Sequence, residues 1–200
     1  MGASRDDNLF QWTEKMLIPH LDSMKKIGAN YVRNTMSDRQ DRGFELYPFA
    51  RLENGRFDLN KLNDAYYDQF DLFLKETQKR DIIVQIEVWD RFDYARNHWP
   101  IHPYNPKNNV NYTAEESGLD LEYTDHPGQN KQPVFFTTPN QRNNEVLLTY
   151  QKIRDEKMLD IFLKDDHVLY CIENETLAEE ERGVYRAEFM LNKAQEDSKE

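Results

Sequence analysis

Apolar positions along this chain recur with two periods, and the periods alternate. Leu17, Leu21, Met24 and Ile27 stand at helical spacing and predict a helix over 12–27, with Pro19 suited to its first turn and Gly28 as its stop. A strand, Ala29–Met36, follows at once. Leu62, Tyr66, Phe70, Phe73 and Leu74 mark one face of a second helix over 60–79, reached through a turn at Asn54-Gly55. The run Asp81–Asp90, DIIVQIEVWD, carries the strongest strand signal. Val146, Leu147, Tyr150, Ile153, Ile161 and Phe162 predict a third helix over 143–164. The strand His167–Thr176, HVLYCIENET, comes next, and a fourth helix over 178–195 runs into an acidic tail.

This alternation implies parallel strands joined by right-handed crossovers. Two architectures satisfy it, a doubly wound open sheet and a (β/α)8 barrel. The strand-to-helix turns carry no glycine-rich phosphate loop, which counts against a dinucleotide-binding sheet. Parity favours the barrel. Ile82, Val84, Ile86 and Val88 share one face of their strand, while Gln85, Glu87 and Trp89 share the other with Ile83. Tyr31, Arg33 and Thr35 form a polar face opposite Val32. Polar faces on central parallel strands make sense at a barrel mouth, where charges from neighbouring strands pair. The expected fold class is therefore α/β, a parallel-strand (β/α)8 barrel of which residues 1–200 supply one partial domain of three to four units.

The 200-residue chain is 38% hydrophobic and 12% aromatic, which argues for a packed core and against disorder. Its formal net charge of −11 gives it no general affinity for phosphate backbones, so no nucleic-acid partner is expected. No apolar run reaches the length of a membrane span. The opening MGASRDDNLF lacks the basic and apolar regions of a signal peptide, and residues 1–4 read as a remnant of the start. Cys171 is the single cysteine, which excludes an internal disulfide and a cysteine-rich metal site; mid-strand, it reads as a small apolar residue.

Residues 91–141 form a long segment without a clear period, dense in Pro, Asn, Tyr and His. Loops of that length are seldom filler. It leaves the C-terminal end of the 81–90 strand, where barrels place active sites. Its aromatics, among them Trp99, Tyr104, Tyr112, Tyr123, Phe135 and Phe136, predict an ordered, packed loop.

The segment Val168–Thr176 ends an apolar strand in Asn174-Glu175. There the chain resembles the clan A glycoside hydrolases, the cellulase-like retaining enzymes built on (β/α)8 barrels. In that clan the fourth strand ends in Asn-Glu, and the Glu is the general acid/base. Ala29-Asn30-Tyr31-Val32-Arg33 resembles the clan's second strand, which carries an Arg near the nucleophile. Asn54-Gly55-Arg56-Phe57-Asp58 and Asp81-Ile82-Ile83-Val84 resemble its run into strand three. Val88–Asn144 resembles a bacterial subgroup of cellulase-like proteins, some described as collagen-binding. On this register the chain covers strands two to four. The clan's nucleophile, a Glu on strand seven, falls beyond it. Arg182 and Arg186 stand where the clan's pattern has aromatic residues.

The resemblance implies a carbohydrate substrate and a role for each matching residue. Retaining cleavage needs two carboxyl groups about 5 Å apart, one of them a proton donor with a pKa near neutrality. Glu175 is the candidate donor. Asn174 would bind the hydroxyl beside the reacting carbon, and Arg33 would orient the nucleophilic carboxylate, with Asn34 beside it. Glu87 and Asp90 are expected to bind substrate hydroxyls or to pair with Arg33 and Arg91, and a substitute carboxylate pair with Glu175 is the weaker alternative. Trp89 reads equally as a sugar-stacking platform and as a plug of the barrel mouth, and Trp99 as a platform on the loop. His98 and His102 are four apart, but Pro100 lies between them, so they are taken as polar substrate or loop-packing residues. No metal or cofactor is called for. Asn111-Tyr112-Thr113 and Asn174-Glu175-Thr176 match glycosylation acceptors, a pattern common by chance.

The leading expectation is a retaining glycoside hydrolase. The alternatives are a non-catalytic carbohydrate-binding or interaction protein derived from such a barrel, and an unrelated doubly wound α/β enzyme. A second chain, or a further segment of the same one, would complete the barrel. The resemblance implies an extracellular or periplasmic location, although the chain shows no export signal.

Overall fold

The computed structural model describes residues 7–126, 133–175 and 180–197. Five helices and five strands follow in the order α1 (Glu14–Lys26), β1 (Tyr31–Thr35), β2 (Phe49–Arg51), β3 (Phe57–Leu62), α2 (Asp64–Gln78), β4 (Ile83–Asp90), α3 (Ala114–Ser117), α4 (Glu145–Phe162), β5 (Val168–Asn174) and α5 (Glu180–Asp197). Strands β1, β4 and β5 form a parallel sheet in that order. Tyr31 pairs with Ile83, Thr35 with Glu87, Val84 with Val168, and Asp90 with Asn174. The three expected strands are thus adjacent, parallel and in chain order.

The bend from α1 into β1 follows from Gly28. Its φ of 76° lies in the left-handed region, which a residue without Cβ enters freely. There Ala29 N–H donates to Met24 C=O and Gly28 N–H to Lys25 C=O, which closes the helix end. The bend from α2 into β4 uses Asp81 at φ 55° instead, and Lys25 Nζ donates to the Asp81 carboxylate at 2.5 Å. Pro19 sits deeper than expected, as the sixth residue of α1 rather than in its first turn. The helix starts at Glu14, after Thr13, so the proline removes a donor in the second turn. The second helix also starts later than its pattern suggested. The apolar residues before it, Phe57, Leu59 and Leu62, belong to β3, which pairs antiparallel with β2 around Asn54-Gly55.

One face of the sheet is apolar and covered by helices. Val32, Val84, Ile86 and Val88 pack with Leu17, Leu21 and Met24 of α1, Tyr66, Phe70, Phe73 and Leu74 of α2, and Met158, Leu159 and Phe162 of α4. Neighbouring helices touch in chain order, α1 on α2, α2 on α4, and α4 on α5. Phe70 stands at the centre, edge-on to Phe10 (5.8 Å between centroids) and Phe162 (6.2 Å). The opposite face carries Tyr31, Arg33, Thr35, Gln85 and Glu87, with Tyr31 Oη donating to Gln85 at 2.8 Å.

The described part of 91–141 is ordered by its polar side chains as much as by its rings. Trp99, Tyr104, Tyr112 and Phe135 are all buried. Asparagines take the place of a backbone ladder. Asn105 Nδ2 donates to the carbonyls of Trp99 and Leu121, Asn108 Nδ2 to those of Pro100 and His102, and Asn109 Nδ2 to those of Pro103 and Asn105. Buried carbonyls in an irregular segment need such donors.

Phe70→Ala should cost about 3–5 kcal/mol, because it opens a cavity where three elements meet. Urea denaturation followed by circular dichroism measures it, and a loss below about 1 kcal/mol would show that this core is not shared.

Candidate active site

The C-terminal ends of β1, β4 and β5 bring charged groups together on the polar face. Glu87 is its anchor. The carboxylate is buried and accepts from Arg33 Nε (2.7 Å), Thr35 Oγ1 (2.7 Å) and Gln85 Nε2 (3.2 Å). A buried carboxylate needs this saturation, because an unpaired charge there is costly. Arg33 in turn donates through Nη2 to Asn174 Oδ1 at 3.0 Å. Asn174 then donates through Nδ2 to Asp90 Oδ1 at 3.4 Å. The amide of Asn174 is therefore oriented by a cation on one side and an acid on the other.

Asp90 and Asp93 are buried beside one cation, Arg39, which also faces Asp7 and Asp41. Burial pushes the Asp90 carboxyl up to about 6, against the pull of Arg39. Burial, with Asp90 and Asp38 nearby, raises Asp93 well above the ordinary value of an aspartate. Asp93 accepts from Ser37 Oγ (2.8 Å) and from Asp38 N–H (3.0 Å).

Glu175 follows Asn174 on the rim. Its φ is 52°, its side chain is 58% exposed, and Arg91 Nη2 lies 3.3 Å from its carboxylate. Thr176, the third residue of the acceptor-like triplet, lies outside the described residues.

The other residues singled out in the sequence lie elsewhere. Asn34 faces the core and accepts from Phe10 N–H at 3.1 Å. Trp89 departs from the parity expected of it. It is fully buried and turned towards α4 and α5, where Nε1 donates to Asp155 at 3.3 Å. The guanidinium groups of Arg154, Arg186 and Arg182 lie over its ring at 4.4, 5.3 and 5.5 Å, which draws it away from the polar face. Trp99 is buried, with Nε1 donating to Asp120 C=O at 2.9 Å. In these positions neither indole offers a face to a sugar. His98 is half-buried, and burial lowers its pKa.

His102 is fully buried, with Asp38 and Asp93 close enough for the three to share an ion. The ring's hydrogen bonds decide its role. Nδ1 accepts from Tyr104 N–H at 3.1 Å, so in the neutral ring the proton sits on Nε2, which faces Asp38 at 3.7 Å. Nε2 therefore turns a proton, too far for a hydrogen bond, towards Asp38, whereas a metal needs a lone pair there. Burial, which lowers its pKa, favours this neutral form.

No protein-family model and no curated protein matches the chain. Solved structures do. A glycoside hydrolase family 5 mannosidase from Rhizomucor miehei matches with a TM-score of 0.58 and 14% identity over 97% of this chain and 48% of that one, in a variant complexed with mannosyl-fructose. Another structure of that mannosidase matches with a TM-score of 0.55 and 13% identity, over the same shares of the two chains. A candidate glycoside hydrolase from Bacteroides vulgatus matches with a TM-score of 0.51 and 12% identity over 94% of this chain and 31% of that one. The mixed α/β fold, with its parallel sheet, matches part of the barrel in these structures. The chain spans half or less of these enzymes, and at such identity the likeness is one of fold.

Sequence reasoning missed Asp38, Arg39 and Asp93. Their signal was position, since all three lie just beyond the C-terminal ends of β1 and β4, where barrels gather functional groups. It also missed the buried Arg154 and Asp155, because charged helix residues ordinarily face water.

A raised folded-state pKa favours the protonated group. Asp90 therefore contributes stability below about pH 4, and that contribution disappears as the pH rises through about 6. Asp90→Asn keeps an oxygen for Phe92 N–H and Asn174. The stability difference between variant and parent should shift in the variant's favour from pH 4 to pH 7, measured by chemical denaturation. A difference flat with pH would show that Asp90 titrates normally.

Proposed function

We propose that this chain is the part of a retaining glycoside hydrolase barrel that carries the general acid/base, Glu175, and that it acts on O-glycosidic bonds of a poly- or oligosaccharide. The observation that carries the reading is the hydrogen-bonded chain Glu87–Arg33–Asn174, which ends beside Glu175 at the C-terminal ends of three parallel strands. The fold shared with glycoside hydrolases supports it.

In this reading Glu175 protonates the leaving oxygen and later takes a proton from water. The contact with Arg91 is exposed on the Glu175 side and weak, so substrate can displace it. Asn174, with its amide held by Arg33 and Asp90, presents a fixed edge to the sugar. Arg33 is still 44% exposed beside its bond to Glu87, so a second carboxylate can reach its guanidinium and be oriented by it. Glu87 has three donors on its carboxylate and serves as a support for Arg33 rather than as the nucleophile. The second carboxylate would come from a further segment of a longer barrel or from a second chain. A mannoside is a sensible first substrate, given the ligand of the Rhizomucor miehei enzyme.

A second reading is a carbohydrate-binding protein without turnover. The observation favouring it is that Glu175 and Glu87 both carry an arginine on their carboxylates.

Activity on mannosides and other aryl glycosides separates the two readings. In a chain extended to a whole barrel, Glu175→Gln should lower turnover about 10²–10⁴-fold on poor leaving groups and little on activated aryl glycosides. Residues 1–200 alone should bind sugar with little hydrolysis. An extended chain indifferent to Glu175→Gln on every substrate would remove the acid/base assignment.

A further inference from the structure

A cavity of about 540 Å³ lies between the segment that leaves β1, the β2–β3 hairpin and the start of α2. Small-molecule sites usually measure roughly 300–1,000 Å³. Side-chain amides tie its walls together. Gln40 Nε2 donates to Glu45 C=O (2.9 Å) and Asn63 Nδ2 to Tyr47 C=O (2.8 Å), and Gln11 exchanges two bonds of 3.0 Å with the backbone of Leu46. Walls fixed in this way need no ordering when a ligand enters.

The lining is amphipathic. Leu46, Tyr47 and Leu62 are half-buried in it. The Tyr47 ring is held edge-to-face with Phe57 (5.2 Å) and with His102 (5.9 Å). Burial, with Asp38 and Asp93 beyond it, raises the Tyr47 pKa, so the hydroxyl keeps its proton. Arg51 and Asp64 are exposed lining residues of opposite charge. The third charged lining residue, Glu45, is buried and spends its carboxylate on the N–H groups of Arg42 (2.7 Å) and Phe44 (3.1 Å). Asn63 makes no side-chain cap to α2, so the first N–H groups of that helix remain as donors.

These groups sort the possible ligands. Arg51 and Asp64 offset one another, which disfavours an anion or a cation. An aromatic and aliphatic wall with donors and acceptors around it suits a molecule with one apolar face and a rim of hydroxyls, each of which both donates and accepts. We propose that this cavity binds a neutral pyranose unit, stacked on Tyr47 and hydrogen-bonded by Arg51, Asp64 and the start of α2, and that it holds a distal part of the saccharide cleaved at Glu175. The link to cleavage rests on the glycoside hydrolase reading, whereas the sugar site does not. Position supports the link. The segment over the cavity leaves the C-terminal end of β1, and Tyr47 packs on His102, beside the Asp38 and Asp93 carboxylates at the strand ends.

The test is titration of the 200-residue chain with mannobiose and with cellobiose, followed by backbone amide NMR shifts. Residues 45–51 and 62–65 should shift saturably, and equally in Glu175→Gln. Tyr47→Phe should keep the affinity, and Tyr47→Ala should lower it about tenfold. Ala65→Trp fills the mouth from an exposed helix position, so it should abolish these shifts while the thermal midpoint stays unchanged. Shifts confined to Asn174 and its neighbours would overturn the cavity assignment and leave the glycoside hydrolase reading standing. A cavity that answers neither disaccharide, that prefers galacturonate or glucosamine to them, or that still binds in Ala65→Trp would overturn the proposal as well.

Discussion

The central strand must bury a carboxylate, and the polar face of the sheet is arranged around that need. Glu87 lies between β1 and β5 with almost no exposure, and ionised it demands donors from several directions. Its own strand supplies Gln85, and β1 supplies Arg33 and Thr35. Once Arg33 is held there, its free nitrogen sets the amide of Asn174 on β5. The order β1-β4-β5 is what lets one arginine reach both neighbours. A sheet in another order would leave Glu87 without its partners and Asn174 without orientation.

The two faces of β4 solve opposite problems. The apolar face gains from burial against α1, α2 and α4, at roughly 25 cal/mol per Å² of apolar area. The polar face gains little net energy from its ion pair, since desolvation offsets much of the Coulomb attraction. Its return is geometric, because each bond fixes a side chain at the strand ends, where a ligand would meet it. Trp89 marks the boundary. Alternation assigns it to the polar face, yet the arginines of α4 and α5 and the carboxylate of Asp155 hold it on the helix side.

The described part of the long connection after β4 has little regular structure and is still well packed. Asparagine amides close its carbonyls, and stacked rings fill the space between them. His102 lies near-parallel to Trp99 (6.1 Å) and Tyr104 (5.4 Å), and the same ring takes the N–H of Tyr104. His102, read from the sequence as a polar substrate or loop-packing residue, is in this way packed into the loop.

Local sequence carries the periods, the three parallel strands and the polar parity of Arg33, Thr35, Gln85 and Glu87, while the strand read as His167–Thr176 ends at Asn174 in the fold. Those properties depend on neighbours two to four positions apart, where backbone geometry dictates which side chains share a face. It also marked the loop as ordered, because so many aromatic rings cannot all remain in water. Tertiary structure alone decided which charges meet. Arg33 reaches Glu87 across 54 positions and Asn174 across 141, and Arg186 reaches Asp155 across 31. Trp89 turned from its expected face for the same reason. Charges and hydrogen-bond donors act through space over a few ångströms, so their partners exist only after the fold has brought distant segments together.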